Sequence, residues 1–393
     1  MKILMVIYMF PPVTGGGEQG AFELARTLVE MGHDVHVATT HFKGLKRFEE
    51  MDGIKVHRIV GNPFLGPYKS PQRKSKALSS LAMVHFMITS QFPLTQLVSR
   101  EGFDVINAQF IMPAGVPAIK AGIVDSTPVV TSMVGGDLYT PNEPFFMSLF
   151  RTIIIPGYRY MFSHSTLTAI STDTIKRAQA LGCKERVILT PYGIDAGKFS
   201  KKSPDKKLRG KYGLEGKTVL LSVCRLSRRK GLEYLLRAVA RLSNDVRLLM
   251  IGDGIERDNL VRLSNELGIL GRVVFVGRVP NDELLAYYNL ADIFVLPSLH
   301  EGMGIVFLEA MACGLPVVTT NIGGMVDFIK DGETGLLVEP RDAEQLSRAL
   351  SRLIKDKKLR ERIAKNGERL VREEYTWEKA AKRYLEAFNR AIK

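Results

Sequence analysis

At 393 residues, with 45% hydrophobic and 24% charged side chains, the chain has the size for two domains and the balance of a globular protein, which excludes a disordered or fibrous one. Its three cysteines, Cys183, Cys224 and Cys313, are scattered without a CxxC; they exclude a disulfide framework and a cysteine zinc site, and point to a reducing, cytoplasmic compartment. A formal net charge of +14 suits acidic small molecules, anionic lipid surfaces or nucleic acid, and the lack of any helix-turn-helix, RNP or zinc-finger pattern excludes the last.

The first eight residues are too short for a signal peptide and alternate like a strand. Further strands are predicted at 35–39, 55–59, 104–107, 129–132, 167–170 and 187–190. A second set is predicted at 218–223, 247–251, 273–276, 293–296, 316–319 and 336–338. Helical patterns alternate with these runs, which predicts α/β architecture with parallel sheets. Residues 1–196 are assigned to one domain, and the polar, basic, non-periodic stretch 197–216 to a linker. Residues 217–376 form the second domain, and 377–393 a final amphipathic helix with Tyr384, Leu385 and Phe388 on one side. Two doubly wound domains joined in this way leave a ligand cleft between the carboxyl edges of their sheets. Basic runs occupy 69–76, 201–217 and 352–362. The first precedes an uncharged stretch, 77–99, with two readings: a buried or cleft-lining helix, or a helix that touches an anionic membrane. The stretch 145–162 is also apolar but is interrupted by Arg151, Pro156 and Arg159.

The chemistry-bearing residues cluster at strand ends. Pro11-Pro12-Val13-Thr14-Gly15-Gly16-Gly17-Glu18 follows the first strand and opens a helix at 19–31. The three glycines suit exposed amides facing an anion, or simply a tight turn. It is not GxGxxG, so no dinucleotide site is indicated. After the strand 218–223 come Arg225 and Lys230, a guanidinium and an ammonium suited to a diphosphate. Gly252-Asp253-Gly254, then Arg278 and Val279, and Gly323-Gly324 mark further strand ends that would bring backbone to the same cleft. The segment His300-Glu301-Gly302-Met303-Gly304-Ile305 leads into a helix over 305–313 that carries Glu309. Were the segment helical throughout, the two glutamates would stand ~12 Å apart along the axis. That spacing suits one ligand gripped at both ends around a central anion, as a nucleotide sugar would be; two solvated glutamates on an ordinary strand-helix unit are the plainer alternative. The chain has no Asp-x-Asp and no H-E-x-x-H, so positive charge for a diphosphate is expected from Arg225, Lys230 and amides, with no metal.

These residues resemble retaining glycosyltransferases of family 4 with the GT-B fold: two Rossmann-like doubly wound domains facing across a cleft. The second domain carries the likeness in Ser222–Leu226, Gly252-Asp253-Gly254, Leu296-Pro297-Ser298, the E-x7-E pair Glu301 and Glu309, the R-x4-K pair Arg225 and Lys230, and Asp331–Leu336. The first domain matches more loosely, through Gly16-Gly17-Glu18 and Gly32-His33-Asp34-Val35. The resemblance implies that Glu301 contacts the donor sugar and Glu309 the ribose, while amides of Gly302, Met303, Gly304 and Ile305 meet sugar and phosphate. It implies that Arg225 and Lys230 stabilise the departing diphosphate, and that Gly15, Gly16 and Gly17 sit against a donor or acceptor phosphate. The implied reaction is metal-independent and retaining, from a UDP- or GDP-sugar, with an ADP-sugar as third choice, to a hydroxyl acceptor that is lipid-linked, a glycan or a small molecule. Nucleic acid is no partner; peripheral contact with the inner face of the membrane goes with the lipid-linked case. Many members carry a histidine before the Gly-x-Asp of the first domain. Here Thr131–Asp137 has none, and a second family histidine is replaced within Asn107-Ala108-Gln109-Phe110. Asp137 is the candidate for the missing sugar contact, with loop capping as its alternative role. A non-catalytic nucleotide-sugar-binding protein and a GT-B-fold nucleotide-sugar epimerase are the rival readings.

Overall fold

A computed structural model describes residues 1–13, 15–66, 76–138 and 146–393. Thr14 of the glycine loop and Lys69, Arg73 and Lys74 of the first basic run lie outside them. The chain divides into two units, 1–192 with 377–393, and 193–376.

Among the described residues, the first unit holds an eight-stranded sheet made of β1 (Lys2–Val6), β2 (Asp34–His41), β3 (Phe48–Met51), β4 (Ile54–Gly61), β5 (Val105–Gln109), β6 (Val129–Met133), β7 (Thr166–Ala169) and β8 (Val187–Leu189), in the order β3-β4-β2-β1-β5-β6-β7-β8. All neighbours are parallel except β3 and β4. Ile3 is registered against Val35 on one side and Val105 on the other, and β1 from Ile3 to Val6 is fully buried, as a central parallel strand covered on both faces must be. Strand β3 has no counterpart in the sequence reading. Its Phe-Glu-Glu-Met pattern lacks an apolar face, but Asp52-Gly53 turns it back on β4, and Glu49 pairs with the buried Arg58 of β4 at 2.6 Å. The helices are α1 (Gly16–Glu30), α2 (Lys76–Thr89), α3 (Gln91–Glu101), α4 (Ile111–Asp125), α5 (Phe146–Ser163) and α6 (Thr172–Ala180). The uncharged stretch thus makes α2 and most of α3.

The second unit holds a six-stranded sheet of β9 (Thr218–Val223), β10 (Val246–Ile251), β11 (Val273–Gly277), β12 (Ile293–Leu296), β13 (Val317–Thr320) and β14 (Leu336–Val338), all parallel, in the order β11-β10-β9-β12-β13-β14. Its helices are α7 (Lys206–Lys211), α8 (Leu232–Val239), α9 (Arg257–Glu266), α10 (Leu284–Tyr288), α11 (Ile305–Ala312), α12 (Ala343–Lys355) and α13 (Lys357–Glu374). Residues 197–216, expected as a linker, fall inside this unit. Asp205 caps α7 by accepting from the Lys207 and Leu208 amides, Leu214 is fully buried, and Asn289 of the unit bonds both the Lys202 amide and the Ser200 carbonyl. Polar composition hid that attachment.

The last helix, α14 (Trp377–Ile392), belongs to the first unit and packs on α1 and on β5 to β7, with Tyr384 and Phe388 fully buried. No helix among the described residues is long and apolar enough to cross a membrane.

Candidate functional site

In the second unit the strand order reverses between β9 and β12, and the carboxyl ends of strands at such a switch point are the usual ligand position in an open α/β sheet. The loop after β9 carries Arg225 and a one-turn 3-10 helix, Arg228–Lys230; the loop after β12 carries Glu301. The two loops are packed onto each other. Leu299 donates its amide to the Arg229 carbonyl at 2.7 Å, and at Gly231 (φ +62°) a Cβ would run into the Pro297 carbonyl oxygen. That contact brings Lys230 Nζ onto Glu301 Oε2, which also has Ser298 Oγ at 3.4 Å. The Lys230 ammonium is buried. Desolvating an ion pair costs more than a surface pair returns, so stability alone gives little reason to keep one here. Arg225 is exposed and has no hydrogen-bond or ion-pair partner among the described residues, so its guanidinium is available to an anion. Cys224, next to Arg225, has its thiol pushed up to about 12 by burial, which disfavours the thiolate.

Gly252 acts as a spacer. At its φ of +123° a Cβ would overlap the Cys224 carbonyl, and its amide is given to the Gly277 carbonyl at 2.8 Å. It lets the loop after β10 lie against the one after β9, where Leu226 donates to the Asp253 carbonyl at 3.0 Å. Arg278 is exposed and Val279 half-buried just beyond β11. Gly324 likewise gives its amide to the Glu301 carbonyl, at 3.3 Å. The amides of Gly231, Gly252 and Gly324 are thus spent on backbone carbonyls at these strand ends.

Helix α11 begins after Gly304. The amides of Ile305 and Val306 in its first turn have no acceptor within the helix, while Phe307 bonds back to the Gly304 carbonyl at 2.9 Å. Gly302 and Ile305 are half-buried and Met303 is buried. One turn on, Glu309 accepts a 2.6 Å hydrogen bond from Tyr288 Oη of α10. Tyr288 is fully buried and wedged edge-on against Phe199. Burial pushes the Glu309 carboxyl up; the Tyr288 hydrogen bond and the nearby Lys198 charge pull it back. Neither Tyr288 nor Lys198 was marked by sequence. Tyr288 sits in an ordinary Leu-Leu-Ala-Tyr-Tyr helix, and Lys198 in the stretch taken for a linker.

The first unit's candidates are arranged differently. The Gly15 amide is given to Glu18 Oε2 at 3.0 Å at the start of α1, and Gly17 packs on the Phe110 ring. Only Gly16 of the three stands open, exposed and with no neighbour for a Cβ. Asp137 spends both oxygens on the backbone: Oδ2 accepts from Ile111 at 2.7 Å and Oδ1 from Val134 at 3.0 Å. It is a loop cap, and burial pushes its carboxyl up to about 6. The residues standing in for the family histidine also point inward. Asn107 Nδ2 donates to Ser132 Oγ at 2.9 Å, Gln109 Nε2 to Asn107 Oδ1 at 2.6 Å, and Tyr192 Oη to Gln109 Oε1 at 3.1 Å, all buried. Among the described residues no three His, Cys, Asp or Glu side chains converge as metal ligands would.

Two family models match the chain: glycosyl transferases group 1 over residues 204–370 and glycosyltransferase family 4 over residues 14–198. An uncharacterized glycosyltransferase of Methanocaldococcus jannaschii is 28% identical, over 100% of this chain and 99% of that one. A GDP-mannose-dependent alpha-(1-6)-phosphatidylinositol monomannoside mannosyltransferase of Mycolicibacterium smegmatis is 27% identical over 98% and 97%. Among solved structures, Anabaena HepE in complex with UDP is similar with a TM-score of 0.77 at 22% identity, over 99% of this chain and 100% of that one. The fold is the expected one of two Rossmann-like domains.

Proposed function

This chain belongs to the family 4 glycosyltransferases, and from that premise we propose that it moves a sugar from a nucleotide-diphosphate sugar to a hydroxyl acceptor, with retention and without a metal. The observation that carries the reading is the Lys230–Glu301 pair at the β9/β12 switch point, with the Arg225 guanidinium beside it. A donor diphosphate placed there meets Lys230, Arg225 and the first amides of α11, while Glu301 is left to accept from sugar hydroxyls. Glu309, held by Tyr288, takes the ribose. As the bond from the anomeric carbon to the phosphate oxygen breaks, negative charge grows on the diphosphate, where fixed cations stabilise the transition state more than the bound donor. The acceptor oxygen bonds to the anomeric carbon on the same face, and its proton passes to the departing phosphate oxygen. No enzyme nucleophile enters, in keeping with a protonated Cys224.

UDP- and GDP-sugars are the first donors to test. Anabaena HepE was solved with UDP, and the mycobacterial relative is GDP-mannose-dependent. The unpaired thiols suit the cytoplasm. One observation favours a non-catalytic rival: each Asp137 carboxylate oxygen already accepts a backbone hydrogen bond. A labelled panel of UDP-, GDP- and ADP-sugars decides. Release of nucleoside diphosphate with sugar on an acceptor or on water supports the reading. Binding without turnover returns the protein to a carrier role, and an altered donor sugar makes it an epimerase.

A further inference from the structure

An anion site built only for affinity would hold cations and amides. The one beyond β9 and β12 also holds a carboxylate, in direct contact with its buried cation. Lys230 Nζ donates to Glu301 Oε2, and the two side chains are only 11% and 16% exposed. The backbone on both sides is fixed. Gly324 gives its amide to the Glu301 carbonyl, and at Gly323 (φ +62°) a Cβ would overlap that carbonyl oxygen. Thr320 Oγ1 at the end of β13 donates to the Ser298 carbonyl, which ties down the Glu301 loop from below. On the Lys230 side, Gly231 fits against the Pro297 carbonyl oxygen in the same way. Any anion that takes Lys230 therefore shares it with a carboxylate that has little room to retreat.

Like charges a few ångströms apart repel strongly away from bulk water, so Glu301 lowers the affinity of this site for phosphate. An ionised carboxylate only accepts hydrogen bonds, and the loss is offset when the bound molecule brings hydroxyl donors to it. A nucleotide sugar and the nucleoside diphosphate left after transfer differ in both respects. The sugar hydroxyls leave with the sugar. The freed terminal phosphate carries about one more negative charge than it did as an ester. Both changes turn Glu301 from an acceptor of the ligand's hydrogen bonds into a like charge facing an anion.

We propose, resting on the donor site argued above, that Glu301 makes the site discriminate against its own product: it accepts the nucleotide-diphosphate sugar and drives out the nucleoside diphosphate by competing with it for Lys230. Release of product then needs no separate trigger, because the carboxylate takes back the ammonium once the sugar has gone.

The test is calorimetry of the full chain and of its Glu301→Gln variant, with UDP and GDP and with the UDP- or GDP-sugar that the donor panel shows to be consumed. The variant should bind the nucleoside diphosphate about tenfold tighter than the wild type does, and the nucleotide sugar no tighter. Glu301→Asp keeps the charge and should show no such gain. A Glu301→Gln protein that binds the nucleoside diphosphate no tighter overturns the proposal. An equal gain for both ligands also overturns it, since Glu301 would then repel any diphosphate; so does a gain in Glu301→Asp, since shape and not charge would be the cause. Melting temperatures check that the variants fold. Should Glu301→Gln not fold, Lys230→Ala takes its place: with Glu301 left facing the anion, it should lose more affinity for the nucleoside diphosphate than for the nucleotide sugar, and equal losses overturn the proposal. A wild type that consumes a donor and shows none of these differences keeps the donor site and loses the discrimination. A wild type that binds neither ligand loses both.

Discussion

The two switch points of this molecule share a topology and differ in chemistry. In the second unit, β9 and β12 deliver a buried ammonium onto a carboxylate, with a free guanidinium nearby. In the first, β1 and β5 deliver glycines and amides, and the charged group close to them, Asp137, is consumed by backbone. A doubly wound sheet decides where a site sits, not what it does. In the second unit Arg225 has no partner among the described residues, whereas both Asp137 oxygens in the first accept from backbone, a contrast in keeping with the donor site proposed for the second.

The largest effect should come from breaking that asymmetry at its charged end. Lys230→Ala should lower turnover at saturating donor on the order of 10²–10³-fold, the scale of losing one fixed donor to a developing anion, while donor affinity falls much less. Steady-state kinetics beside calorimetric donor binding checks the division; equal losses in both would mean that Lys230 binds the ground state as tightly as the transition state.

The matching change in the first unit should move stability instead. Asp137 has a folded pKa of about 6 against an unfolded value near 3.8, so the folded protein holds the extra proton between those values. The stabilising contribution is complete below pH ~4 and is lost as pH rises through ~6, amounting to roughly 3 kcal/mol. Asp137→Asn should flatten that part of the stability curve in denaturant titrations at a series of pH values and leave turnover nearly unchanged. A kcat loss comparable to that of Lys230→Ala would restore Asp137 to the chemistry.

The contrast also explains what was legible in the sequence. Strand ends were legible, because β9 and β12 are apolar runs that stop at Cys224 and Pro297, and parallel α/β sheets put ligand residues just beyond such stops. That Lys230 and Glu301 meet across 71 positions follows from strand order, which a single sequence suggests only through the family pattern. What was not legible depends on who spends a charge. Asp137 looks the same in sequence whether its oxygens face a sugar or the Ile111 and Val134 amides. Tyr288 looks like any core tyrosine until it is placed 2.6 Å from Glu309. Strand β3 was missed because pairing with β4 and the Glu49–Arg58 bond, not an apolar face, hold it in place.

A smaller effect should sharpen the second unit's own division of labour. Glu309→Ala should weaken nucleotide affinity by about 1–3 kcal/mol, the scale of charge-assisted hydrogen bonds. Tyr288→Phe tests how that carboxylate is kept ionised. Burial already raises its pKa and the tyrosine hydroxyl opposes the rise, so the variant's pKa should be higher still. Affinity that needs the ionised form should then begin to fall at a higher pH in the variant than in the wild type. Calorimetric titrations of the nucleotide diphosphate across a pH series would show it; superimposable profiles would reduce Tyr288 to packing.

The smallest expected effect is metal removal, which asks whether the charge at the second switch point is sufficient. A diphosphate leaving group needs positive charge as its bond breaks, and a divalent cation is the common source. Here Lys230 is held in place by Glu301 and by the packing of Gly231 on Pro297, and Arg225 has no partner among the described residues, so two cations stand ready without one. Turnover after EDTA treatment should therefore stay within about twofold of the untreated enzyme. The same treatment applied to Lys230→Ala sharpens the point: added magnesium should not rescue the variant, because among the described residues no carboxylate cluster would hold the ion where the ammonium was. Loss of wild-type activity in EDTA with recovery on adding a divalent ion would show that the fixed cations are insufficient and that the chemical contrast between the two units was drawn too sharply.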